Sequence, residues 1–320
     1  MYLIHSTQNW FSIKLLFLTV ILASTITIFG QSAYKTQFIN VGGKKMAYKS
    51  YGLEIRKAGD PVLVFESGVG GDKGNFDVLF PFLSKTTTGI AYDRNGLGES
   101  EADAAIKSDG DVVRRLHDLL KSLRIAPPYL LVGHSLGGAF IRLFISYYPT
   151  EVAGLVFIDA TDFMQTKNED DQVKTLSSSA TGYRELFVGM MDKFGKDTSI
   201  PIGVRGEMKR IGNVNRAYYF NEYTSLKPLP DIPVTVLMEY NRPIEYQEMG
   251  LMEEFKINGK AWFQELDRYR IQHFAEMIKN NHNSSMILLP GYSHGIHHQD
   301  PELVATAIQD VYKKSIKAQR

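Results

Sequence analysis

The sequence predicts an α/β protein in which a mostly parallel sheet is covered by helices on both faces. Three observations carry that expectation. Short apolar runs alternate with helix-patterned segments from about Thr36 onward. One of those runs turns through glycines directly into a helix. One long polar stretch then interrupts the alternation, as an inserted cap would.

The first thirty residues stand apart from this pattern. Lys14 is followed by an uncharged run from Leu15 to Phe29, which ends in Gly30-Gln31-Ser32-Ala33. A short apolar stretch behind a basic residue with a small-residue exit reads as a secretory signal peptide. An uncleaved membrane anchor is the alternative, because Leu15 to Tyr34 is just long enough to span a bilayer. The expected organisation is a leader or anchor over residues 1–30 and one folded domain over 36–320. Export to a periplasm or the exterior follows, with membrane contact only if the segment is retained.

Gln37–Val41 and Lys45–Tyr51 flank Gly42-Gly43, the pattern of a β-hairpin. Pro61–Phe65 is continuously apolar, and Thr88–Tyr92, Tyr129–Val132, Gly154–Ile158, Val234–Met238 and Met286–Leu289 repeat the pattern. Strands this apolar on both faces belong in the interior of a parallel sheet. Between them, Asp111–Leu123 carries apolar residues at helical spacing, and Leu136–Tyr148 is apolar nearly all round. Leu303–Ile316 is amphipathic and forms the last helix. The polar stretch from about Asp162 to Asp231 is the expected cap, and a second helical excursion runs from about Pro243 to Asn283.

Composition narrows the partners. Lys plus Arg number 36 and Asp plus Glu 35 in 320 residues, so no strong field exists to recruit nucleic acid. There is no cysteine, which removes disulfides, a thiol nucleophile and thiolate metal sites. The expected partner is a small-molecule acyl substrate, and no cofactor is expected.

Chemistry concentrates in Gly133-His134-Ser135-Leu136-Gly137-Gly138, between the run Tyr129–Val132 and the helix Leu136–Tyr148. A strand–turn–helix context gives a G-x-S-x-G pattern its meaning. The sharp turn strains the serine backbone and lifts its hydroxyl clear of the sheet. The helix start supplies amide donors for a developing oxyanion. Ser135 is therefore the candidate nucleophile, and His134 is expected to pack locally.

A serine needs a base, and His294 lies between the last apolar run and the closing helix, as the order nucleophile, acid, histidine requires. His297 and His298 are near in sequence and suggest a metal cluster, but no further ligand falls at the right spacing, so no metal is expected. The acid that must orient the imidazole is less determined. Asp159, at the carboxyl end of Gly154–Ile158, is favoured because reacting groups gather at that edge of an open α/β sheet. Glu239, Glu245 and Asp162 remain alternatives. Glu66-Ser67-Gly68-Val69-Gly70-Gly71-Asp72 follows an earlier strand, and its glycines let the backbone approach an acyl oxygen. The Val69 and Leu136 N–H groups are the candidate oxyanion donors.

These segments resemble α/β hydrolases of the AB hydrolase-1 type, from about Gly43 to the C-terminus and most weakly over the cap. The likeness is carried by Leu63-Val-Phe-Glu-Ser-Gly-Val-Gly-Gly71, Ala91-Tyr-Asp-Arg-Asn-Gly-Leu-Gly-Glu-Ser100, Pro127-Pro-Tyr-Leu-Leu-Val-Gly-His-Ser-Leu-Gly-Gly138, Glu151–Ala160 and Ser293–Glu302. The resemblance implies an α/β-hydrolase fold and a serine hydrolase acting on a carboxylic ester or related acyl bond. It casts Ser135 as nucleophile, His294 as base, Val69 and Leu136 as oxyanion donors, and Asp93-Arg94-Asn95-Gly96 as a brace for the elbow.

One departure is plain: no aspartate follows Val234–Met238. Some relatives, including many haloalkane dehalogenases and certain lipases, carry the acid one strand earlier, where Asp159 stands. Aminopeptidase, lactonase and C–C hydrolase activities share the fold, as do non-catalytic receptors. Tyr183, Met190, Met191, Tyr218, Tyr219 and Tyr223 in the cap are expected either to meet an apolar substrate group or to pack the cap on the core.

Overall fold

The computed structural model describes residues 34–318, and the N-terminal leader expectation lies outside them. The strands are β1 (Gln37–Val41), β2 (Lys44–Tyr51), β3 (Val62–Glu66), β4 (Thr88–Tyr92), β5 (Tyr129–His134), β6 (Val152–Ile158), β7 (Val234–Tyr240) and β8 (Ser285–Pro290). They form one sheet in the order β1-β2-β4-β3-β5-β6-β7-β8. β1–β2 and β2–β4 pair antiparallel, and every pair from β3–β4 to β7–β8 is parallel. The β1–β2 turn holds Gly42 and Gly43 at φ +59° and +79°. Two consecutive positive φ values match the strands' twist, and glycine adopts them without strain.

The longer helices are α1 (Asp109–Ser122), α2 (Leu136–Tyr147), α3 (Lys167–Ser177), α4 (Tyr183–Lys196), α5 (Ile202–Arg216), α6 (Tyr246–Glu254), α7 (Gly259–Ile278) and α8 (Pro301–Ala318). Helix α1 starts where Ser108 accepts from the Asp111 N–H and Asp111 returns the bond, so two orphan donors are satisfied. Val112, Leu116, Leu119 and Leu120 of α1 pack with Leu143 and Phe144 of α2 in one core layer. Val304, Ile308 and Val311 of α8 join Phe76, Phe80 and Leu83 in another, so apolar side chains from both helices and the sheet fill two layers.

Strand β8 differs from the interior position its apolar run suggested. It is the edge strand, and Ile287 and Leu288 are each 38% exposed. Helices α3, α4 and α5 occupy the stretch between β6 and β7. They are joined by the second excursion: Val173 and Leu186 pack with Trp262, Leu266 and Tyr269 of α7 in a third cluster. The parallel strands then bring their carboxyl ends to one edge, below this layer.

Candidate active site

Ser135 follows β5 and precedes α2 with φ +53° and ψ −122°, a conformation that side chains rarely adopt. The turn closes only because its neighbours lack side chains. A Cβ on Gly133 would lie 2.5 Å from the Gly137 oxygen, and one on Gly137 would lie 2.1 Å from the Glu66 oxygen. Leu136 is the first residue of α2, so its N–H is among the orphan donors of that helix.

His294 follows β8, and its Nδ1 lies 2.5 Å from Oδ2 of Asp159, the residue that follows β6. Asp159 is 1% exposed. Its second oxygen accepts from Arg270 Nη2 at 2.6 Å and from the Glu239 N–H at 3.1 Å. Burial alone would raise this carboxyl, but Arg270 and His294 outweigh it and hold Asp159 well below the usual carboxylate range. Asp159 has φ +41°, a region that aspartate tolerates better than most residues.

The other acid candidates go elsewhere. Asp162 Oδ2 pairs with His273 Nδ1 at 2.8 Å, and Glu245 is the exposed N-cap of α6. Glu239 is 5% exposed and stands beside the pair without bonding His294. Its Oε1 lies 3.3 Å from Arg242 Nε and 3.5 Å from Arg270 Nη1, and its Oε2 has no hydrogen-bond partner among the described residues. Burial and the charge of Asp159 push its carboxyl up to about 7.

Ser135, His294, Asp159 and Val69 all line one cavity of about 260 Å³. Among the described residues no hydrogen bond joins the Ser135 hydroxyl to His294, and such bonds commonly tighten only with substrate present. The far wall is apolar: Leu186, Phe187 and Met190 from α4, Leu251 from α6, and Trp262 and Leu266 from α7. Of the aromatic and methionine residues noted in the cap, Tyr183, Met190 and Met191 line this space. Tyr219 and Tyr223 are buried in the core, and Tyr218 is 69% exposed.

His134 is not merely local packing. Its Nε2 donates to the His294 carbonyl at 3.0 Å, and burial together with His294 lowers its pKa to about 3, so it stays neutral. His297 is fully buried against His134 and Phe76, and His298 bonds Asn75 Oδ1 at 3.1 Å. Among the described residues neither joins a set of converging metal ligands. The group of three such side chains found among the described residues is Asp159, Glu239 and His294, with donor atoms within 4.8 Å of one another. Arg270 and Arg242 already lie against those carboxylates, so a dication there would face two fixed positive charges.

Arg270 was not identifiable as a site residue from sequence. It lies on α7, 111 residues from Asp159, in a stretch that the sequence marks only as a second helical excursion. The missing aspartate after Val234–Met238 pointed to an acid one strand earlier, at Asp159, and carried no signal for its partner.

A mostly parallel sheet with a strained serine turn and a histidine–carboxylate pair at its carboxyl edge is the architecture of the α/β-hydrolase fold. The chain has the α/β-hydrolase fold, and the sequence profile of the alpha/beta hydrolase fold family matches its residues 61–190. It is 21% identical over 281 residues to an AB hydrolase superfamily protein of Gibberella zeae, covering 79% of this chain and 86% of that one. It is 24% identical over 251 residues to 2-hydroxy-6-oxo-6-(2'-aminophenyl)hexa-2,4-dienoic acid hydrolase of Metapseudomonas resinovorans, covering 72% and 85%. Its fold is similar to that of a thermophilic esterase from Thermogutta terrifontis, with a TM-score of 0.56, 17% identity, and coverage of 88% and 99%.

Proposed function

We propose that this protein is a serine hydrolase that cleaves a carboxylic ester or related acyl bond through an acyl-enzyme on Ser135. The Asp159–His294 pair, which shares a cavity with the strained serine, carries this reading. With Nδ1 engaged by Asp159, Nε2 is the ring nitrogen left to serve Ser135. His294 takes the Ser135 proton as Oγ attacks the acyl carbon, then returns it to the leaving group. Charge on the acyl oxygen is met by the Val69 and Leu136 N–H groups. Water, activated by the same histidine, then releases the acid and restores the serine.

The apolar wall favours an acyl or aromatic group with little charge over a polar one. A second reading, a carbon–carbon bond hydrolase of the same fold, is favoured by the similarity to the Metapseudomonas enzyme. A panel of p-nitrophenyl esters of increasing acyl length tests the first reading. Turnover that rises and then falls with chain length supports an esterase pocket. Absence of ester turnover alongside cleavage of a vinylogous diketone would replace it with the second. Export is part of the same proposal, and an intact N-terminus on cytoplasmic protein would contradict it.

A further inference from the structure

The loop that carries Val69 is gripped from the inserted helices. Glu207 lies on α5, yet its side chain is only 4% exposed and reaches the turn after β3, 137 residues away in the chain. Its Oε2 accepts from the Gly70 N–H at 2.7 Å and from Arg94 Nη2 at 3.0 Å, and its Oε1 accepts from Arg94 Nε at 2.7 Å. Arg94 extends the grip, donating to the Gly68 carbonyl at 2.5 Å, to the Ser67 carbonyl at 2.7 Å and to Glu66 Oε1 at 2.8 Å.

The geometry of one peptide unit gives this grip a purpose. The Gly68 carbonyl and the Val69 N–H belong to the same planar, trans peptide, so they point in opposite directions. Arg94 does not line the cavity, so a Gly68 carbonyl held by Arg94 is expected to leave the Val69 N–H facing the cavity side of the loop. Glu207 holds the next amide, Gly70, and fixes the guanidinium that holds the carbonyl. Helix α5 is seated close enough to act this way, since a Cβ on Gly203 in its first turn would lie 1.7 Å from the Gly96 oxygen.

Resting on the serine-hydrolase reading above, we propose that Glu207 is a positioning residue. Its carboxylate, supplied by the inserted segment, aims the Val69 N–H at the developing oxyanion, so acyl transfer requires α5 to be seated. Burial opposes ionisation of Glu207, but Arg94 prevails and lowers its pKa, so the carboxylate is charged at neutral pH. Three N–H donors converge on its two oxygens. A glutamine would therefore turn its NH₂ against at least one of them. An aspartate would keep the charge for Arg94 and fall one methylene short of Gly70.

The test measures kcat and KM for a p-nitrophenyl ester in Glu207→Asp and Glu207→Gln. Each rate is taken per site titrated with a fluorophosphonate, so unfolded protein does not count. The proposal predicts a fall in kcat of about tenfold to a hundredfold, below the roughly 10²–10³ for outright loss of an oxyanion donor. KM should stay within about twofold, and inhibition by a boronic acid that forms a tetrahedral adduct should weaken in step with kcat. A kcat per titrated site within about twofold of wild type overturns it, and so does a change confined to KM. If wild-type protein takes up no fluorophosphonate, the serine-hydrolase reading itself fails and takes this proposal with it.

Discussion

His294 Nδ1 and Asp159 Oδ2 meet at 2.5 Å across 135 residues of chain, and Arg270 closes on the other oxygen of the same carboxylate at 2.6 Å. Both oxygens are thus occupied by donors, which fixes the plane of the carboxyl and with it the face of the imidazole. Asp159→Asn preserves the shape, because asparagine also tolerates the positive φ of that position. It places an amide where an acceptor is needed, and turnover should fall by up to roughly 10⁴ as the imidazole loses its orientation. Glu239→Gln should cost only about tenfold. Ester kinetics of the two variants check the assignment, and a larger loss from Glu239→Gln would reverse it.

Arg270 is expected to matter for both stability and rate. It faces Asp159, Glu239 and Asp267, so removing its charge leaves buried carboxylates uncompensated. Arg270→Gln should lower stability by about 3–5 kcal/mol, the usual penalty for breaking a buried pair from one side. Activity per folded molecule should fall as well, because Asp159 loses the partner that pins it. Urea denaturation followed by ester kinetics reads both effects, and an unchanged midpoint would contradict the account.

Glu239 should appear in the pH dependence. Its carboxyl is raised from 4.5 to about 7 by burial and Asp159, so folding gives up stability as pH climbs through that window. Above about 7 its charge lies beside the imidazolium that forms in catalysis and favours it. The urea midpoint should decline as pH climbs toward about 7, and less steeply in Glu239→Gln. Equal declines in the two proteins would remove Glu239 from the explanation.

The attachment of the inserted helices should weaken in alkali. His273 of α7 bonds Asp162 after β6 at 2.8 Å and Glu169 of α3 at 3.1 Å. Burial lowers the His273 pKa, but the two carboxylates overcome it and raise the value from 6.5 to about 9. A raised histidine contributes its full stability below about 6.5 and loses it as pH rises toward 9. The melting temperature should therefore decline across that interval in wild type, and more shallowly in His273→Gln. Parallel slopes in the two proteins would remove His273 from the explanation.

What was legible in the sequence was what local chain geometry dictates. Gly133 and Gly137 announce a turn that admits no Cβ, so the strained turn at Ser135 could be expected without a structure. The meeting of Asp159 with His294 was reachable because strand ends in a parallel sheet share one edge. Arg270 and Glu207 were not reachable. Each sits on a helix whose sequence does not name its distant partner, and that choice is made by tertiary packing. The edge position of β8 was hidden for a similar reason, since an apolar run does not report how many neighbours its strand has.

The central claim is that Ser135 is the nucleophile. Incubation of the protein with a fluorophosphonate, followed by digestion and mass spectrometry, tests it most directly. The account predicts one adduct per folded molecule, on the peptide containing Ser135, with labelling and ester turnover both lost in Ser135→Ala. Losing a triad nucleophile typically costs roughly 10⁶ in rate, far beyond experimental scatter. An adduct on a different serine, or Ser135→Ala turnover within about tenfold of wild type, would contradict the account.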